Sequence, residues 1–166
     1  RSSDLLNPED GLGAWHHYQN QFARVQSEFV NLPFPDKSVS AVIFNASFHY
    51  SESYEETLAE SLRVLSPNGK IIIMDSPAYH DAQSGEQMVA ERKSAFLSRY
   101  GFASDSLKSK NYLTYQGMDE LGKTLGIVWQ HTLPFYGLRW AMRPFWARVL
   151  GRREPAEFGL WLGVRL

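Results

Sequence analysis

The groups that could do chemistry fall in four short clusters: Asp4; Glu28 with Phe29; Asn45, Ala46, Ser47 and His49; and Asp75 with Tyr79. His49 is the candidate catalytic residue, because an unperturbed imidazole titrates at roughly pH 6.5 and can exchange a proton near neutrality. The competing reading packs the ring at a strand end with its nitrogens on backbone. Asp75, Ser76, Tyr79 and His80 stand where a substrate could enter; alternatively Pro77 fixes a turn there and Asp75 bonds locally. His16, His17, His49 and His80 lack the close spacing of metal ligands, so no metal site is expected.

Two apolar runs must position these groups. Residues 41–44 (AVIF) and 71–74 (IIIM) are continuous rather than alternating, the pattern of strands covered on both faces in a parallel sheet. Between them, Ser53 and Glu56 have capping-box spacing, and Tyr54, Leu58, Leu62 and Leu65 recur at helical spacing. SPNG (66–69) supplies turn chemistry at the helix end. Strand, helix, strand with short connections is a right-handed βαβ unit. Ligands of such sheets bind beyond the carboxyl ends of the strands, and the polar clusters lie at those ends. LPFPD (32–36) forces a turn before the first run, and residues 24–29 read as a short strand.

The stretch EFVNLPFPDKSVSAVIFNASFHY followed by TLAESLRVLSPNGKIIIMDS resembles the middle of class I S-adenosylmethionine-dependent methyltransferases of the small-molecule type. Arg63, Val64, Leu65, Pro67 and Gly69 match the family's helix-end motif. Asn68 replaces its usual first glycine, as a residue tolerant of left-handed backbone. The resemblance covers residues 25–77. It implies that Glu28 accepts from the adenine amino group of S-adenosylmethionine and that Phe29 offers a backbone N–H and an apolar face. It also implies that Asn45 and Ala46 border the methionine part and that Asp4 grips the ribose.

The family's glycine-rich loop after its first strand has no counterpart before residue 25; DGLGAW (10–15) follows no apolar strand. The expectation is therefore an α/β fold with a Rossmann-like methyltransferase sheet. The sheet should be mostly parallel, with an antiparallel C-terminal strand, and should lack the first strand and its helix. One partial domain is expected over residues 1–166. Within it, 1–35 is a remnant of the cofactor half and 36–77 the βαβ core. Residues 78–115 form an insertion, either a substrate-selecting lid with Tyr79, Tyr100, Tyr112 and Tyr115 or a plain surface helix and loop. Residues 116–166 are C-terminal helices and strands. Because the chain starts at Arg1 rather than Met, it reads as a fragment of a small-molecule methyltransferase, inactive in isolation. The rival is a non-catalytic, methyltransferase-like module that self-associates. The bare edge of strand 41–44 is expected to be covered either by a homodimer partner or by a rearranged N-terminal segment. A nicotinamide-dependent oxidoreductase also binds at strand ends, but the RVLSPNG helix end and LPFPD turn argue against it.

The 166 residues, 43% hydrophobic, suffice for a sizeable core. A net charge of -1 gives no general attraction to nucleic acid. Absence of cysteine excludes disulfides and suits the cytoplasm. Residues 138–153 carry five Arg and no acid. They read as a helix interrupted at Pro144 that buries Trp140, Phe145 and Trp146 against the sheet with wet Arg heads, rather than as a membrane surface element.

Overall fold

A computed structural model describes residues 25–103 and 108–166. The expected βαβ unit is present. Strand β1 (Val39–Asn45) is followed by a single 3₁₀ turn (Phe48–Tyr50), helix α1 (Tyr54–Val64) and strand β2 (Leu65–Met74). Ser53 caps α1 by accepting from the Glu56 N–H at 3.3 Å, which satisfies one of the free donors at the helix start. β1 and β2 pair in parallel, in unbroken register from Ala41 with Lys70 to Asn45 with Met74.

The strand β3 (Ala78–Tyr79), helix α2 (Ala82–Tyr100), strand β4 (Leu113–Thr114), helix α3 (Tyr115–Leu125) and strand β5 (Ile127–Thr132) come next. Two short helices, α4 (Leu138–Ala141) and α5 (Arg143–Val149), precede strand β6 (Leu160–Arg165). The main sheet has the order β1-β2-β6-β5, with β6 antiparallel to both neighbours. A parallel pair plus an antiparallel last strand is the expected α/β arrangement. No described helix is long and apolar enough to cross a membrane.

One face of the sheet carries the core. Phe44, Ile71, Ile73, Ile127 and Trp161 pack with Leu58, Leu62 and Met118 in a single buried cluster. Gly163 lets Trp129 cross β6, because a Cβ there would lie 2.6 Å from the Trp129 ring. The opposite face is a correction to the expectation that β1 is covered on both sides. Ile43 is 58% exposed and its register partner Ile72 only half-buried. Among the described residues, no strand pairs with the outer edge of β1.

Four further local expectations change. Residues 25–27 form no strand; Glu28 and Asn31 make only an isolated bridge. The SPNG segment is absorbed into β2 as an irregularity, in which β2 advances five residues while β1 advances two. Asn68 is not left-handed, and a Cβ at Gly69 would meet the flexible end of Leu65 at 2.6 Å and the Ser66 carbonyl oxygen at 3.0 Å. α2 starts at Ala82, where Asp81 caps it by accepting from the Gln83 and Ser84 N–H groups. Pro144 does split the 138–150 segment, but Trp140, Phe145 and Trp146 are 41%, 53% and 55% exposed rather than buried against the sheet.

The LPFPD turn is held by Arg63, at the end of α1. Its guanidinium donates to the Phe34 and Leu32 carbonyls at 3.0 and 3.1 Å, to Asp36 at 2.6 Å, and to both carboxylate oxygens of Glu60 at 2.7 and 2.8 Å. Glu60 in turn accepts from the Leu32 N–H at 2.7 Å. The hydrogen bonds from Arg63 hold the Glu60 carboxyl down at about 2. A lysine cannot reproduce this fork.

Leu58 is fully buried beneath β1 and β2. Leu58→Ala is expected to cost about 2–5 kcal/mol, the range for truncating a buried leucine, measured by urea unfolding. A loss below about 1 kcal/mol would mean that this cluster is not the core.

Candidate active site

Both parallel strands end in a residue with left-handed backbone: Ala46 after β1 (φ 50°) and Asp75 after β2 (φ 53°). Such angles are unfavourable for residues with a Cβ and concentrate at functional sites. The two tips are tied together. The Ala46 N–H donates to the Met74 carbonyl at 3.0 Å, and His49 Nδ1 lies 3.1 Å from the Ser76 hydroxyl.

A cavity of about 370 Å³ opens beside Asp75 and the 3₁₀ turn that carries His49. It is lined by His49, Asp75 and Tyr79 together with Arg92, Arg143 and Arg153. The structure thus brings together three of the residues singled out from sequence. His49 is buried, and its pKa is lowered by that burial and, secondarily, by the positive charge of Arg92. The ring is therefore neutral near pH 7. With Nδ1 against Ser76, Nε2 has no partner among the described residues.

Tyr79 is wholly buried. Burial raises its phenol pKa, partly offset by Arg153, whose Nη1 lies 3.4 Å from the hydroxyl. Arg153 is itself anchored by Glu91 at 2.8 Å. Tyr112 stands edge-on to Tyr79 and rests on Gly85, where a Cβ would come 2.3 Å from its ring. Tyr54 donates to the Tyr112 carbonyl at 2.9 Å. Of the four tyrosines in the 78–115 segment, Tyr79 and Tyr112 are buried and only Tyr100 is more than half exposed.

On the other side of the β1 tip, the Phe29 ring stands edge-on to Phe44 at 6.0 Å and is 36% exposed. Glu28 is exposed, and its carbonyl accepts from the Asn31 N–H at 3.2 Å. Asn45 and Ala46 are both exposed at the tip itself. Asp4, His16 and His17 lie outside the described residues. Sequence reasoning missed Arg92, Arg143 and Arg153 as lining residues. The run from 138 to 153 was the available signal for two of them.

A family model described as a methyltransferase domain matches residues 9–73. The chain is 29% identical over 96 residues to a fatty-acid O-methyltransferase of Mycolicibacterium smegmatis, covering 58% of this chain and 32% of that protein. It is 34% identical over 53 residues to a demethylmenaquinone methyltransferase of Thermus thermophilus, covering 32% and 24%. The chain thus spans a third or less of these curated relatives. Among solved structures, the complex of a Haloferax volcanii methyltransferase with its Trm112 activator superposes with a TM-score of 0.61 at 18% identity, covering 95% of this chain and 68% of that one.

The fold is that of a class I methyltransferase. Solved structures of this fold include methyltransferases that use S-adenosylmethionine. The described residues of this methyltransferase fold fit part of it. Phe29, backed by Phe44, gives a purine an apolar platform, and the small side chain of Ala46 leaves the β1 tip open to an extended chain. The outer edge of β1 would be the remaining wall, and no described strand covers it.

The lowered pKa of His49 links stability to pH. The folded state prefers the neutral ring, so its contribution is complete above the unfolded value near 6.5 and is lost as pH falls toward the folded pKa. His131 is shifted in the same direction, chiefly by burial. Stability is expected to decline between pH 7 and pH 5, with a smaller decline in His49→Gln, followed by thermal unfolding. Equal slopes for the two proteins would place the titration elsewhere.

Proposed function

We propose that this chain is part of an S-adenosylmethionine-dependent methyltransferase that acts on a small molecule, and that it is inactive as the isolated 166 residues. The cavity that follows the parallel pair, lined by Asp75 after β2 and by His49 in the turn after β1, carries this reading. When bound, S-adenosylmethionine supplies a methyl group on a positively charged sulfur. Glu28 accepts from its adenine amino group, Phe29 faces the ring, Asn45 and Ala46 border the methionine part, and Asp4 takes the ribose. Asp75 and Tyr79 contact the acceptor. In the tautomer whose Nδ1–H donates to the Ser76 hydroxyl 3.1 Å away, His49 keeps Nε2 as an acceptor for a proton leaving a substrate hydroxyl or amine. Alignment supplies most of the acceleration in such a transfer, so His49 positions as much as it deprotonates. A cysteine-free chain of this kind works in the cytoplasm.

Without a glycine-rich loop against the cofactor, the chain is expected to bind S-adenosylmethionine more weakly than micromolar by calorimetry. At millimolar cofactor, amide NMR signals of Phe29, Asn45 and Ala46 are expected to move. Movement confined to α4 and α5, or tight binding, would reject this assignment.

The bare edge of β1, with Ile43 exposed beside it, favours a second reading in which the chain self-associates without catalysis. Sedimentation then gives a dimer that Ala41→Pro, which removes an edge N–H donor, converts to monomer. A monomeric wild-type chain excludes this reading.

A further inference from the structure

A second concavity, of about 950 Å³, lies against α4 and α5. Its size falls within the roughly 300–1,000 Å³ of small-molecule sites. Trp140, Trp146 and Leu150 form an apolar floor and are 41%, 55% and 59% exposed. Arg139, Arg143 and Arg152 line the same groove, and none has an acidic partner among the described residues. The Arg143 guanidinium carbon lies over the Trp140 ring, 4.0 Å from its centroid, so cation and apolar surface are presented together. The acid in the groove wall, Glu91, is neutralised by Arg153 at 2.8 Å.

Arg143 and Arg153 also line the cavity that holds His49 and Asp75. The groove and the cavity therefore meet at these two cations. A ligand filling both must be apolar along its length and anionic where it reaches the junction. An uncharged ligand leaves the arginines without counter-charge, and a small anion leaves the indoles in water.

We propose that groove and cavity form one binding site for an amphiphilic carboxylate. Its hydrocarbon body lies along Trp140, Trp146 and Leu150, and its anionic head reaches Arg143 at the mouth of the His49 cavity. This deepens the methyltransferase reading, on which it rests for the role of the cavity, by naming the class of acceptor. A carboxylate oxygen takes a methyl group without releasing a proton, so for this class His49 contributes position and not base catalysis. Charge complementarity chooses this occupant: residues 138–153 hold five Arg and no acid.

The test is a titration of the 166-residue chain, without cofactor, with dodecanoate below its micelle-forming concentration, followed by tryptophan fluorescence and calorimetry. Dodecanol and acetate serve as probes of chain alone and charge alone. Dodecanoate is expected to saturate with a blue-shifted emission and to bind at least about tenfold more tightly than either control. Arg143→Gln is expected to lose about tenfold for dodecanoate and little for dodecanol, the loss of one charge-assisted contact. Trp146→Ala should weaken both. Circular dichroism melting establishes that each variant is folded, and Arg139→Gln provides a second cation at a more exposed position.

Equal binding of dodecanoate and dodecanol overturns the proposal. So does a folded chain that binds neither, or binding only to vesicles of anionic phospholipid. Because no cofactor is present, failure of methyl transfer leaves the titration intact. Methyl transfer to an uncharged acceptor without dodecanoate binding removes this inference alone.

Discussion

The parallel pairing of β1 with β2 is the constraint on which the other placements depend. Backbone register from Ala41–Lys70 to Asn45–Met74 sets both carboxyl tips at one level. Only then can the Ala46 N–H reach the Met74 carbonyl and His49 reach Ser76. A slip of one residue would turn Phe44 and Ile73 out of the core and Ile43 and Ile72 into it. The buried cluster beneath the strands therefore selects the register, and the register makes the cavity. The chemistry at the tips follows from a packing preference several residues away.

The Arg63 hub acts at the opposite end of the same unit. It gathers the carbonyls of Leu32 and Phe34 and the carboxylates of Asp36 and Glu60 around one planar cation. Its side chain is a third exposed, so solvent screens these charges, and burial of Leu58 and Ile73 dominates the energetics. What the hub adds is direction. It binds the turn preceding β1 to the end of α1, and so fixes where the chain carrying Glu28 and Phe29 runs relative to the strand. The match of Arg63 to the family's helix-end motif has this geometric content.

Legibility in the sequence followed the physics of each signal. Periodicity and capping revealed α1 and the strand order of the central unit, because apolar spacing and Ser53 act locally. The cavity's His49, Asp75 and Tyr79 were legible as polar residues after apolar runs. Its arginines were not. Arg92 sits within a long helix and Arg143 and Arg153 within a segment read as a covered surface, and only tertiary folding brings them to β1 and β2. Burial of β1 on both faces was inferred from a continuous apolar run. Such a run records what a strand can tolerate, and the described neighbours cover one face. The SPNG segment carried true turn residues, yet β2 absorbed them as an irregularity because pairing with Val39 begins ahead of them.

The place of β6 has a consequence for how the molecule is made. It is the last strand in the chain, yet it lies between β2 and β5. During synthesis on the ribosome, β1, α1 and β2 emerge early and can assemble, but the free flank of β2 must wait until residues 160–165 have left the exit tunnel. Until then Ile71 and Ile73 belong to an unfinished sheet whose open side invites pairing with other nascent chains. The long sequence separation between β2 and its partner makes that closure a late event, and a chaperone would have its longest window of engagement there.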